Sequence, residues 1–261
     1  MVAAPFSAHN VNTERAAVEG SFDLPDGSSV TWALSRSEFG PMSFKNHPSW
    51  DVAHNRIQYL KLFGLVIEDA VSLDQQHTAK VLTVTSADKR KGAREIYTAP
   101  GIADGLVTQD TNLILLTTHA DCMPVWLCAP SSGWIGMGHA GWRGLKAGLI
   151  NNLIEAVPEK DRSDLVVAIG PCISPANYEI GQEVASEFIN DKNLAEAVHI
   201  DDARYYLDLA KGARLQCEAA GVKVLTDTAI CTYKNRYFLS SYRRDGELFS
   251  PMAAFIHRTN Q

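Results

Sequence analysis

The 261-residue chain has no run of about 18 consecutive apolar residues, the length a membrane-spanning helix needs. It also has no basic tract that would suit nucleic acid. The nearest, Lys89-Arg90-Lys91, reads as decoration on a solvated loop, and the formal net charge is -6. The opening Met1-Val2-Ala3-Ala4-Pro5 lacks a basic segment followed by an apolar core, so a cytoplasmic location is expected. Cysteine is scarce, odd in number and irregular in spacing. Cys122, Cys128, Cys172, Cys217 and Cys231 therefore argue against a disulfide framework and fit a reducing compartment. Cys128, Cys217 and Cys231 read as small buried hydrophobes. Internal repeats, low-complexity segments and a dividing linker are all missing. With 46% hydrophobic and 21% charged residues, the composition is that of an ordinary globular protein.

What is present alternates between strand and helix signals. Residues 1–20 are polar and aperiodic and read as a loosely held arm, leaving 21–261 as a single catalytic domain. Pro25-Asp26-Gly27-Ser28 is a turn between two apolar runs, so a hairpin is expected. Helical spacing covers 50–63, 142–157, 179–189 and 207–220. Strands are expected at 81–84, 104–108, 113–118, 123–127, 134–137, 165–169, 222–225, 237–242 and 252–256. The fold class is α/β, one mixed domain with helices packed outside a large sheet or a pair of sheets.

Two polar knots interrupt the strand-rich centre. His119-Ala120-Asp121-Cys122-Met123-Pro124 closes one apolar run, and Gly138-His139-Ala140-Gly141-Trp142-Arg143-Gly144 follows another. Packing alone asks for neither a thiol nor an imidazole there. Cys122 and His139 can be two ligands of a soft transition metal, with His77 as a third, or a cysteine nucleophile and its base. They can also be a buried thiol and an unrelated histidine. Asp121 is placed to orient His119 or His139, or simply to satisfy a turn. Arg143, near the start of a helix, suits an anion or is a solvated helix-end arginine. Tyr242-Arg243-Arg244-Asp245-Gly246 is a second polar cluster with the same ambiguity.

Taken in order, these segments resemble the YfiH family, long labelled laccase-domain or multicopper polyphenol oxidase proteins and now understood as purine nucleoside-processing enzymes. The matching pieces are Gln76-His77, Asp104-Gly105-Leu106-Val107-Thr108, the Cys122 and His139 knots, and Gly170-Pro171-Cys172-Ile173 with Tyr178-Glu179-Ile180-Gly181. Leu207-Asp208-Leu209 and Ser241-Tyr242-Arg243-Arg244-Asp245-Gly246 complete the set. The resemblance implies central mixed β-sheets sandwiched by helices, an α-β-β-α domain. It implies a zinc ion on His77, Cys122 and His139, which are also the catalytic residues. It further implies phosphorolysis of adenosine, inosine and 5′-methylthioadenosine with adenosine deamination alongside. Purine nucleosides and phosphate are then the partners, and Arg36, Asn55 and Arg143 are the candidates for substrate contact.

The chain departs from the family where a double glycine is usual, reading Ser37-Glu38-Phe39-Gly40-Pro41. That change bears on substrate preference more than on the metal ligands. Other readings carry different chemistry. A cysteine hydrolase or deamidase would use Cys122 as nucleophile and His139 as base. Copper-dependent phenol oxidation fits poorly with eight histidines and no His-x-His pair. A scaffold with structural zinc would need a fourth protein ligand.

Overall fold

In the computed structural model, which describes residues 10–11 and 13–259, the strands run in two stacked sheets. The first half of the chain contributes β1 (Asn10–Val11), β2 (Val18–Asp23), β3 (Ser29–Leu34), β4 (Ala70–Ser72), β5 (Val81–Thr83), β6 (Gly105–Thr108) and β7 (Ile114–His119). Then come β8 (Met123–Ala129), β9 (Trp134–Ala140), β10 (Val166–Ile169), β11 (Glu179–Ile180), β12 (Val198–Asp201), β13 (Arg204–Leu207), β14 (Lys223–Asp227) and β15 (Met252–Thr259). One six-stranded sheet has the order β1-β2-β3-β15-β7-β4, and the other β14-β10-β8-β9-β6-β5. A small sheet, β11-β13-β12, flanks them.

Alternation along the strands makes the layers. On β8, Trp126 and Cys128 face the other sheet, where Trp126 meets Trp32 with ring centroids 4.8 Å apart. Met123, Val125 and Leu127 face the opposite way, toward helices α2 (Trp142–Lys146), α3 (Leu149–Ala156), α4 (Gln182–Ile189) and α5 (Leu209–Ala219). Helix α1 (Ser49–Lys61) covers the outer face of the first sheet with Tyr59 and Leu60 against Leu116 and Phe255. The result is the α-β-β-α sandwich, a single α/β domain. Gly138 belongs to the close approach: a Cβ there would come within 2.6 Å of Leu153 on α3.

Several elements differ from the sequence reading. The helix expected over 142–157 is two, because Gly148 takes the left-handed conformation (φ 86°) between α2 and α3. The strand expected at 237–242 is a turn leading into α6 (Tyr242–Asp245), where the Ser241 hydroxyl caps the Arg244 N–H. Within the expected arm 1–20, residues 1–9 and 12 lie outside the described residues. Asn10–Val11 pairs with Val18 and Glu19, and Ala16 and Ala17 are buried. No helix among the described residues is long and apolar enough to cross a membrane.

His257 on β15 gives the fold a pH signature. Burial, partly opposed by Asp69, lowers its pKa to about 4 from the ordinary 6.5. The unfolded chain thus binds a proton below pH 6.5 that the native chain refuses until near pH 4, so stability falls with pH through that window. The full loss is on the order of 3 kcal/mol. Urea unfolding from pH 8 to 4 should show it, and His257→Gln should flatten that stretch of the curve. An unchanged slope in the variant would count against this assignment.

Candidate metal centre

The register of the two sheets brings several crossings to one end of the sandwich. β4 and β7 run parallel and both end there. The chain then passes to the other sheet twice, through residues 73–80 into β5 and through the short link 120–122 into β8. His77 lies in the first crossing and Cys122 in the second. His139 lies near the end of β9, opposite Pro124 at the start of β8. A third crossing, 228–251, returns from β14 to β15 at the same end.

The ligand-capable atoms of His77, Cys122 and His139 all lie within 4.8 Å of one another. The His77 and His139 rings meet edge to face with centroids 4.9 Å apart. Behind them sits Asp104, fully buried just before β6. Its Oδ1 accepts from His139 Nδ1 at 2.9 Å and from the His77 N–H at 3.1 Å. Its Oδ2 accepts from the N–H groups of Gln76 (3.3 Å) and Thr78 (2.6 Å) and from the Thr78 hydroxyl (2.9 Å). One carboxylate therefore fixes both histidines. The proton it holds on Nδ1 leaves His139 Nε2 as the atom that could bind a metal. It also steadies His77, whose φ of 60° lies in the left-handed region that a histidine adopts at a cost of about 1 kcal/mol.

The donor set fits a metal. Two imidazoles and a thiolate make the three-ligand pattern that leaves a position open, and a carboxylate-bound histidine is the usual supporting contact. The space is kept by Gly141, where a Cβ would sit 2.8 Å from Cys122 Sγ and 3.0 Å from His77 Cδ2. Burial alone would raise the Cys122 thiol, but His139 and His77 beside it bring the pKa down to about 6. Burial likewise disfavours a charged His139, and Cys122 and Asp104 overcome it, holding the pKa at about 9. The sulfur is therefore an anion at neutral pH, the form that binds metal or attacks an electrophile.

The other expected residues are distributed unevenly. Asp121, itself at φ 77°, orients neither His119 nor His139. Its carboxylate accepts from Thr232 Oγ1 at 2.5 Å and from the Arg243 N–H at 2.7 Å, tying the 120–122 link to the third crossing. His119 bonds Thr117 Oγ1 and the Cys122 carbonyl, and burial keeps it neutral. Arg143 stacks on Trp142, its guanidinium 4.3 Å from the ring centroid. Arg36 follows β3 at the metal-centre end, over Phe238 and paired with Glu38. Asn55, on the outer helix α1, donates to the Pro41 carbonyl.

Two residues gain a place that the sequence did not single out. Tyr178 is a partly buried phenol whose pKa is raised by burial and by the nearby Cys122, with Arg243 and Arg143 opposing. Arg243 stacks on that ring at 5.2 Å and donates to the Glu179 carbonyl. Both stand in quoted motifs, but only the third crossing shows that they meet beside Cys122. Asp104 was legible in the same limited way, as a polar residue opening an apolar strand.

Together, fold and site define a two-sheet α/β sandwich with a His-Cys-His centre at one end. The chain belongs to the family described as multi-copper polyphenol oxidoreductase laccase, whose model matches residues 41–259, the YfiH family of the resemblance. It is 33% identical over 220 residues to purine nucleoside phosphorylase YlmD of Geobacillus stearothermophilus, covering 81% of this chain and 80% of that one. The Bacillus subtilis YlmD is 32% identical over 213 residues, covering 79% and 77%. Among solved structures, YlmD from Geobacillus stearothermophilus superposes with a TM-score of 0.83 at 27% identity, covering 97% of this chain and 100% of that one. The Bacillus licheniformis protein YfiH gives a TM-score of 0.82 at 26% identity, covering 87% and 92%.

Proposed function

We propose that this protein is a zinc-dependent purine nucleoside phosphorylase acting on adenosine, inosine and 5′-methylthioadenosine, with adenosine deaminase activity, working in the cytoplasm. The observation that carries the reading is the convergence of His77, Cys122 and His139 on one point, with Asp104 behind them. The relatives named purine nucleoside phosphorylase supply the substrate class. A zinc ion on these ligands would supply Lewis acidity and a water of lowered pKa, the chemistry that attack at a purine C6 requires. The protein's own groups do the rest. Asp104 keeps the proton on His139 Nδ1, and Arg143 and Arg243, each stacked on an aromatic ring, offer guanidinium forks to a phosphate. Tyr178 stays a neutral phenol beside them, able to donate to a sugar or phosphate oxygen.

Metal analysis joined to chromatography of adenosine, inosine and methylthioadenosine incubations, with and without phosphate, tests this. Stoichiometric zinc and phosphate-dependent release of free base are expected. Absence of zinc together with no base release would overturn it. Copper phenol oxidation has less support, since His77, Cys122 and His139 are the one three-ligand group among the described residues and multicopper chemistry needs several. The cysteine-nucleophile reading draws on the low Cys122 pKa and its His139 neighbour. A stable acyl adduct on Cys122 after turnover would favour it.

A further inference from the structure

Away from the triad, Cys172 and Cys231 form a second pair of sulfurs. The two residues are bridge partners, joined by bonds from the Cys172 N–H to the Ile230 carbonyl (3.1 Å) and from the Thr232 N–H to the Cys172 carbonyl (3.0 Å). Partners in such a bridge lie about 5 Å apart and send their side chains to the same face. That separation is within the Cα range of disulfides. Both keep a sliver of exposure, 8% for Cys172 and 7% for Cys231, whereas Cys128 and Cys217 have none.

The surroundings of Cys231 are unlike those of a packed thiol. Its Sγ receives the Ser174 hydroxyl at 3.1 Å, the Ser174 N–H at 3.4 Å and the Asn177 side-chain amide at 3.5 Å. The backbone N–H groups of Tyr233 and Lys234 also favour its charged form. A neutral thiol is a weak acceptor and has little use for three donors, while a thiolate is stabilised by each of them. Although burial works against it, this nest keeps the Cys231 pKa below the ordinary thiol value. Among the described residues no such donors meet Cys172, and burial pushes its pKa well up. One sulfur is thus poised as the attacking thiolate and the other as a resolving thiol.

We infer that Cys172 and Cys231 form an oxidisable dithiol that takes a hydroperoxide as its substrate and closes to a disulfide. The Cys231 thiolate attacks the terminal peroxide oxygen, an S–O bond forms, the O–O bond breaks, and alkoxide or hydroxide leaves. Cys231 becomes a sulfenic acid, oxidised by two electrons while the peroxide is reduced. The Cys172 thiol then attacks that sulfur, the S–S bond forms, and the sulfenic oxygen departs as water with the thiol proton. The chain neighbours of both cysteines hold Asp121: Ile173 N–H donates to its carbonyl at 3.0 Å and Thr232 Oγ1 to its carboxylate. The new bond would therefore tie together two of the segments that brace the link carrying Cys122. This dithiol stands independently of the reaction catalysed at the triad.

The test is hydrogen peroxide treatment of the purified full chain, followed by non-reducing peptide mapping and dimedone labelling. A linked peptide pair containing Cys172 and Cys231, lost on adding dithiothreitol, is expected. Cys231 should react at least about tenfold faster than Cys128 or Cys217. In Cys172→Ser the reaction should stop at a dimedone-trapped sulfenic acid on Cys231. In Cys231→Ser neither the linked pair nor a label at Cys172 should form. The wild-type map alone decides against the idea if no such pair appears, as does dimedone labelling of Cys172 ahead of Cys231.

Discussion

Cys122→Ala is expected to lose bound metal and, with it, nucleoside turnover to background. The loss should exceed the roughly 10–100-fold that removal of a supporting contact costs a metal site. Cys122 would supply the one thiolate ligand of the three, and alanine leaves only the two imidazoles around the same point. Equilibrium dialysis against zinc and base-release assays on the same preparation measure both effects, with circular dichroism confirming the fold. Cys122→Asp separates ligand from nucleophile, because a carboxylate oxygen can hold zinc but cannot replace sulfur in forming a thioester. Partial recovery of metal and turnover in that variant supports a metal-bound thiolate. Full turnover in Cys122→Ala would sink the metal reading altogether.

Asp104→Ala should be nearly as damaging, although Asp104 is not itself among the three ligands. It should weaken metal binding about 10–100-fold, toward the upper end. The substitution removes the partner of His139 Nδ1 and, at the same time, the acceptor for the 76–78 segment. His139 can then adopt the other tautomer, and His77 loses the bond that holds its left-handed backbone. Burial opposes the Asp104 charge, yet His139 and Thr78 keep its pKa below the usual value, so it acts as a carboxylate. Asp104→Asn retains the shape but brings an amide donor against N–H groups, and should fall between wild type and alanine. Metal affinity together with nitrogen chemical shifts of His139 distinguishes this role from a general loss of stability. Unchanged shifts with normal metal binding would refute it.

Much of this was readable from residue types. Continuous apolar runs such as Val125-Trp126-Leu127-Cys128 are strands covered on both faces, and β8 is buried along its whole length. A thiol and an imidazole at strand ends stood out because packing gives no reason for them. What the sequence concealed depends on register and on partners distant in the chain. Gly148 sits inside a good helical pattern, and only its φ of 86° shows that the pattern is two helices. Apolar residues around 237–242 alternate like a strand, but Ser241 and Asp245 hold a turn there. Asp121 lies beside Cys122 in sequence while its carboxylate faces Thr232 and Arg243; Asp104, distant in sequence, is the one that meets His139.

The position of β15 has a consequence for how the protein is made. In the sheet order β1-β2-β3-β15-β7-β4 it lies between β3 and β7, with Ala254 opposite both Leu34 and Thr117. A nascent chain that has reached only residue 251 carries two strands with a gap between them, each presenting unpaired backbone to whatever is near. Such edges invite wrong partners, and closing them requires contacts of long sequence separation, which form slowly. Met252 pairs with His119, three residues before Cys122. Synthesis therefore leaves the sheet beneath the His-Cys-His cluster unfinished until this strand arrives, so the cluster is among the last parts of the molecule to gain its support.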